Sequence, residues 1–153
     1  MKKSLLAAAA MALVIAMSGT AMALGNQTVT VNATVVGVCQ FLTGGAITFT
    51  LDPSVGGPVN GTVTQPTFWC TRGASWTMTD NDGLYFSAGT RRMRHATSLT
   101  DFIPYSFTYT NTGTGSGRST AITMDIASTV AAADYLDALA GSYADTVTLT
   151  INP

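Results

Sequence analysis

Apolar and polar residues alternate one by one in several short runs of this chain of 153 residues. In the run Thr28–Val35, small apolar side chains occupy every second position, and threonine or asparagine fills the positions between them. The run Ser142–Ile151 ends in the same way, with threonines between larger apolar side chains. Because neighbouring side chains of a β-strand point to opposite faces, this period of two predicts strands with one buried face.

Clusters of glycine, proline, asparagine and aspartate separate these runs from further strand-like segments, and such clusters are typical of turns. No linker and no long-period repeat divides the chain. Many short strands joined by turns predict a single all-β domain with the architecture of a β-sandwich. The further strands are predicted over Ala46–Leu51, Thr62–Cys70, Ser75–Thr79, Leu84–Phe86, Phe102–Tyr109 and Ala121–Ala127.

Three segments do not follow the alternation. Asp80–Gly83 has the composition of a tight hairpin turn, and the Gly-, Ser- and Thr-rich segment Asn111–Ser119 is predicted to be a mobile loop. Ser128–Leu139 contains helix formers with Ser128 as a possible N-cap, but its apolar residues do not share one helical face. A short helix and an irregular connection are both compatible with that last segment.

The N-terminus has the features of a secretory signal peptide, predicted over residues 1–23. Lys2 and Lys3 precede the apolar stretch Leu5–Met17, and Ala21-Met22-Ala23 is a small-x-small cleavage site. The stretch is too short for a membrane span, which needs about 20 apolar residues. Export to an oxidising compartment predicts that the only two cysteines, Cys39 and Cys70, form a disulfide.

The charge content argues against several classes of function. Only 10% of the residues are charged, and all eight acidic residues are aspartates. The only basic cluster, Arg91-Arg92-Met93-Arg94, is too small for a nucleic-acid interface with many phosphate contacts. With one histidine and two cysteines in the chain, no metal site, cofactor site or catalytic residue is predicted.

Three groups of residues have a functional interpretation besides a structural one. His95 could act as a base with Asp101 and with Ser98 or Ser106, but no nucleophile-elbow pattern supports this, and a surface histidine in a loop is favoured. The run Asp80–Gly83 resembles the start of a calcium loop, yet it lacks the downstream glutamate, which favours a turn. An aromatic platform for sugars is possible but less favoured than core packing, and it would use Trp69, Trp76 and Tyr85.

Several motifs together carry a resemblance to one family. An alternating segment runs into Val36-Gly37-Val38-Cys39, and the second cysteine lies in Phe68-Trp69-Cys70-Thr71-Arg72-Gly73. The motifs Arg91-Arg92-Met93 and Ile103-Pro104-Tyr105-Ser106-Phe107 follow, and the chain closes on Gly141-Ser142-Tyr143-Ala144-Asp145-Thr146-Val147-Thr148-Leu149-Thr150-Ile151. Over essentially the whole predicted mature chain, this resembles the spore coat protein U domain family, which includes the archaic Csu-type chaperone–usher pilins.

The resemblance implies an immunoglobulin-like sandwich that is one strand short and is completed by a donor strand from a neighbouring subunit or a chaperone. It implies a donor-strand extension over residues 24–36 and a pilin-like domain over residues 37–153, whose first strand begins at Val38 and Cys39. The donor side chains would be Val29, Val31, Ala33 and Val35. The edge that receives a donor strand would include Val147, Leu149 and Ile151.

The resemblance also implies the partners and the location. The partners would be copies of this chain or related pilins, a periplasmic chaperone and an outer-membrane usher. The product would be an adhesive or biofilm-forming fibre on the cell surface.

The alternatives are a secreted coat or matrix protein of the same family, a monomeric carbohydrate-binding adhesin module, and a secreted hydrolase that depends on His95. Periodicity alone favours the interpretation of Thr28–Val35 as the first strand of a self-complete sandwich, and the resemblance reverses that preference.

Overall fold

A computed structural model describes residues 25–153, and this part of the chain contains β-strands and no α-helix. The predicted all-β class is therefore confirmed, and the strands form several small antiparallel sheets. The signal peptide predicted over residues 1–23 lies outside the described residues. Residues 35–153 form one compact unit to which residues 25–34 do not belong.

The strands are short and are interrupted by bends, as the many threonines, glycines and prolines predict. They are β1 (Cys39–Thr43), β2 (Ala46–Thr48), β3 (Val59–Asn60), β4 (Thr62–Thr64), β5 (Thr67–Cys70), β6 (Ser75–Asp80), β7 (Arg91–His95), β8 (Phe102–Tyr105), β9 (Thr112–Thr114), β10 (Ile122–Thr123), β11 (Thr129–Val130), β12 (Tyr143–Ala144) and β13 (Leu149–Asn152).

Two antiparallel sheets pack face to face around the larger core. One has the strand order β1-β5-β10 and the other β13-β6-β9. Alternation in β5 and β6 turns Phe68 and Cys70 of the first sheet towards Trp76 and Met78 of the second. The rings of Phe68 and Trp76 meet edge to face, with their centroids 5.0 Å apart. This inter-sheet contact is the layered packing that defines a sandwich.

A second core lies where β12-β7-β8, β3-β11 and neighbouring segments meet. Ile103, Val130 and Tyr135 are almost fully buried there. Tyr135 satisfies its hydroxyl by donating a hydrogen bond to the carbonyl oxygen of Gly57, 2.8 Å away. Burial of a large aromatic ring with its polar tip paired explains how a segment with little regular structure remains fixed.

The predicted disulfide between Cys39 and Cys70 is present. The two cysteines face each other in the register of β1 and β5, so the bond links neighbouring strands. With a sequence separation of 31, the loss of chain entropy in the unfolded state gives a stabilisation of about 3–4 kcal/mol.

Two sequence-based expectations for irregular segments are wrong, and one that was left open is decided. Asp80–Gly83 is not a tight hairpin, because β6 pairs with β13 and β9 whereas β7 lies in a different sheet, with β12 and β8. Asn111–Ser119 is not a loop throughout, because Thr112–Thr114 pairs with β6 as β9. Ser128–Leu139 contains strand β11 and a single 3₁₀ turn at Ala132–Asp134 in place of an α-helix.

Candidate functional site: an open groove between two strand edges

Two strand edges face a gap at one side of the sandwich. Within residues 25–153, β1 is paired along one edge only, with β5, and β13 is paired along one edge only, with β6. Unpaired edges expose backbone N–H and C=O groups that can hydrogen-bond to an added strand. Next to these edges lies an open cavity of about 850 Å³.

The cavity is a groove with apolar side chains along its interior. One wall is formed by residues 41–49, which include β1 and β2, and the other by residues 143–149. The side chains of the floor come from several strands and belong to both cores. They are Val63, Met93, Tyr105, Phe107 and Ile126. An apolar groove flanked by backbone edges is suited to an extended peptide that buries alternate side chains.

The residues predicted to form the receiving edge lie at different depths. Val147 and Leu149 line the groove, whereas Ile151 is not among its lining residues and packs against the larger core. In the ladder with β6, Leu149 is opposite Asp80 and Ile151 is opposite Met78. The structure therefore brings two of the three predicted residues to the groove.

A polar network that the sequence analysis missed closes one part of the groove wall. Asp145 accepts hydrogen bonds from the hydroxyl of Tyr105 at 2.6 Å and from the backbone N–H of Leu84 at 2.9 Å. Burial and the adjacent Asp145 carboxylate raise the pKa of Tyr105. The sequence signal was present, since an aspartate interrupts the apolar positions of the last strand run. Its partners, however, are 40 and 61 positions away.

Arg91 is the centre of a second polar network, whose residues are outside the groove lining. Its guanidinium contacts carboxylate oxygens of Asp80 and Asp82, each at 2.7 Å. Burial acts to raise the pKa of Asp80, but hydrogen bonds from Arg91 and from Tyr109 outweigh it, so that pKa is lowered. Burial and the bond to Asp80 raise the pKa of Tyr109 to about 12. The network ties β6 to β7 and to the segment after β8 with charge-assisted bonds.

The N-terminal segment predicted as a strand has no ladder partner in this structure. Thr28–Val35 carries no strand assignment, and its valines are exposed, with 80% for Val29, 87% for Val31 and 82% for Val35; Ala33 is exposed too. The expectation of a half-buried strand is therefore not met here, nor is its reading as the first strand of a self-complete sandwich. Large apolar side chains at alternate positions are left in solvent.

The residues weighed for hydrolytic chemistry have structural roles. His95 is buried at the end of β7, so the expectation of a surface histidine in a loop is wrong. Its Nδ1 accepts hydrogen bonds from the backbone N–H groups of Thr97 and Ser98. Ser98 donates its hydroxyl to Asp101, and Ser106 bonds to Thr129. The four residues do not form a nucleophile–base–orienter arrangement.

The calcium-loop and sugar-platform readings also lack the required geometry. Within residues 25–153 no three metal-ligating side chains converge, and Asp80 and Asp82 are both engaged by Arg91. Trp76 lies in the core, whereas Trp69, next to buried Phe68 and Cys70, is only half-buried and has Arg118 over its ring at 5.7 Å. The aromatic side chains therefore do not form one platform.

These features define an all-β sandwich domain with an unfilled groove between two strand edges. The profile of the Spore Coat Protein U domain family matches residues 25–150, so the chain belongs to that family. No curated protein is significantly similar to the chain in sequence. No helix within residues 25–153 has the length and apolarity to cross a bilayer.

Among solved structures, a similar one is the CsuC–CsuE chaperone–tip adhesion subunit pre-assembly complex from the archaic chaperone–usher Csu pili of Acinetobacter baumannii. The sequence identity is 20% and the TM-score is 0.46. The match covers 77% of this chain and 40% of that chain. The chain therefore spans well under half of the length of the protein it resembles.

Proposed function

We propose that this chain is a structural subunit of a chaperone–usher pilus, and that its groove accepts a donor strand from a neighbouring copy or a related subunit. A periplasmic chaperone would fill the groove before assembly, and an outer-membrane usher would exchange that strand for the neighbour's extension. The fibre would lie on the cell surface and serve adhesion or biofilm formation. The subunit has no catalytic role in this proposal.

The observation that carries the proposal is the coexistence of two complementary features in one chain. The groove offers apolar side chains and two unpaired strand edges. The segment Thr28–Val35 offers valines at alternate positions that are exposed in this structure. An extended segment of that length spans about 27 Å and repeats its side-chain direction about every 7 Å. Val29, Val31, Ala33 and Val35 are the proposed donor side chains.

The proposed domain division follows from this role. Residues 1–23 would be the signal peptide, residues 24–36 the donor extension, and residues 37–153 the receiving sandwich. The boundary is supported by the contacts of Thr71, whose N–H donates to the carbonyl of Val38 and whose hydroxyl donates to that of Val36. The chain is therefore attached to the sandwich immediately before β1.

The free energy of burial and the heterologous geometry of the contact both suit a filament. Burying a valine-sized side chain stabilises by about 1.5–3 kcal/mol, and hydrogen bonds along both edges add to this. An unfilled groove would leave an apolar edge prone to aggregation. Because the donor segment and the groove are different surfaces, the contact is heterologous and can repeat along a fibre without closing.

The test is an SDS gel of material shed from the cell surface, run unboiled and boiled. We expect the full chain to give a ladder that collapses on boiling. A variant that lacks residues 25–35 after the signal peptide should give no ladder. A matched control keeps the segment but replaces Thr28 and Thr30 by serine, and it should retain the ladder.

The alternatives predict a different gel. If the full chain gives a single folded, disulfide-bonded monomer band in both samples, the pilin proposal is refuted in favour of a coat or matrix protein or a monomeric binding module. If the deletion variant forms the same ladder as the full chain, the fibre is held together by another contact and residues 24–36 are not the donor.

A further inference from the structure

The outer face of β7 carries two arginines whose charges are not neutralised. Met93 and His95 point to the second core, so Arg92 and Arg94, at the alternate positions, share the opposite face. Arg92 lies over the ring of Phe102 at 4.3 Å, and Arg94 lies over the ring of Tyr85 at 4.4 Å. We name these two arginines and two aromatic residues the arginine ladder.

The arginine ladder is held in one arrangement before any partner binds. The rings of Tyr85 and Phe102 are 6.1 Å apart, and Nε of Arg92 donates to the carbonyl of Tyr85 at 3.1 Å. Within residues 25–153, no carboxylate forms an ion pair with Arg92 or Arg94. Guanidinium groups fixed by stacking lose little side-chain entropy when a carboxylate binds them.

A second exposed feature, residues 131–139, has the complementary charge, and we name it the acidic loop. Buried Tyr135 anchors it, and backbone bonds from Leu136 to Ala132 and from Ala138 to Tyr135 hold its turn. Although the loop is fixed, Leu136 and Leu139 remain 41% and 50% exposed. These leucines present apolar surface beside the two carboxylates of the loop.

The carboxylates of the acidic loop, Asp134 and Asp137, make no hydrogen bond or ion pair with any of residues 25–153. Every other aspartate of the chain is engaged by a hydroxyl, a backbone N–H or Arg91: Asp52, Asp80, Asp82, Asp101, Asp125 and Asp145. The acidic loop therefore carries two unpaired carboxylates beside exposed leucines. The arginine ladder carries two unpaired arginines beside exposed Leu84 and Phe86. The two surfaces are complementary in charge.

We propose that the arginine ladder of one copy docks onto the acidic loop of a second copy of this chain. The two surfaces lie outside the groove lining, so the contact is additional to the donor strand. A second copy is favoured as the partner because the two unpaired carboxylates of the acidic loop match the two guanidinium groups of the arginine ladder, and each pair has exposed apolar neighbours. Both rings of the ladder already carry a guanidinium on one face, which leaves less room for stacking on a sugar.

The test traps the contact as a disulfide in fibres of the full chain. Arg92→Cys combined with Asp137→Cys leaves Arg94 and Asp134 to attract each other. On a boiled, non-reducing gel we expect reductant-sensitive dimers, severalfold above a control pair in which Arg92→Cys is combined with Ser119→Cys at another exposed site. The unboiled ladder must persist in both, which separates a failure of this contact from a failure of the groove.

Charge reversal tests whether the trapped contact depends on the attraction between Arg94 and Asp134. Adding Arg94→Glu to the trapping pair should reduce the dimers severalfold, and adding Asp134→Arg as well should restore them. Dimers at the control level, or dimers unaffected by Arg94→Glu, overturn the proposal. The proposal is also overturned if the dimers are absent, wild-type fibres bind heparin resin, and fibres without Arg92 and Arg94 do not. In that case the arginine ladder binds a polyanion and not a second copy.

Discussion

Replacing Val31 by alanine tests which face of the N-terminal segment enters the groove. Val31 is 87% exposed in the structure, so nearly its whole side chain is available for burial in a neighbour. The replacement removes two carbon atoms, worth about 0.8 kcal/mol each, and therefore about 1.6 kcal/mol of burial. Since 1.4 kcal/mol corresponds to a factor of ten, the inter-subunit contact should weaken about 10–20-fold.

The assay follows the loss of the unboiled ladder in SDS over time at a fixed temperature below boiling. We expect Val31→Ala to shorten the lifetime of the ladder by up to about tenfold, because weaker contacts mainly raise dissociation rates. Thr30→Ala is the matched control, since it removes side-chain atoms from the neighbouring position on the opposite face. Equal effects of Val31→Ala and Thr30→Ala, or no effect of either, would refute the assignment of the inward face.

The remaining predictions concern the sandwich itself. Reducing the Cys39–Cys70 disulfide should lower the free energy of unfolding by about 3–4 kcal/mol in denaturant titrations. Arg91→Met should destabilise by on the order of 3 kcal/mol in the same assay, because the nearly buried Asp80 loses its counter-charge. In the wild type, the stabilisation from the Asp80–Arg91 ion pair should be lost as the pH falls below the ordinary Asp pKa of 3.8, since folding lowers the pKa of Asp80. Folding raises the pKa of Tyr109 to about 12, so its contribution to the free energy of unfolding should be complete below pH 10 and lost as the pH rises to 12. Tyr109→Phe should abolish this part of the alkaline unfolding transition, followed by tryptophan fluorescence. Gly113→Ala should cost about 1–3 kcal/mol in thermal unfolding, because its Cβ would overlap with Cζ2 of Trp76.

The alternation of side chains was sufficient to predict the all-β class and the positions of most strands, and the predicted export with only two cysteines was sufficient to predict the disulfide. It was sufficient because a period of two reports which face of a strand is buried, and both core strands, β5 and β6, show it cleanly. The same signal could not say that Thr28–Val35 has no partner strand within its own sandwich. A donor strand and an internal strand require the same side-chain pattern, so alternation alone leaves both interpretations open.

The errors arose where distant polar partners decide the local structure. Asp80–Gly83 has the composition of a turn, yet the strands on either side of it belong to different sheets, and Arg91 holds the carboxylates of Asp80 and Asp82. His95 was predicted in a surface loop because nothing nearby in sequence shows that Gly141 packs against its ring. The anchoring of Tyr135 to Gly57 likewise spans 78 positions. Local propensity carries no information about such pairs.

The position of the disulfide determines how the sandwich responds to pulling. Tension applied through residues 25–35 first loads the hydrogen bonds of Thr71 to Val36 and Val38, and then reaches Cys39, the first residue of β1. There the load passes through a covalent bond into β5, the central strand of its sheet, so β1 cannot be peeled away one hydrogen bond at a time. Mechanical failure of the oxidised chain must therefore begin elsewhere than at this strand, whereas reduction exposes β1 to unzipping from its N-terminal end.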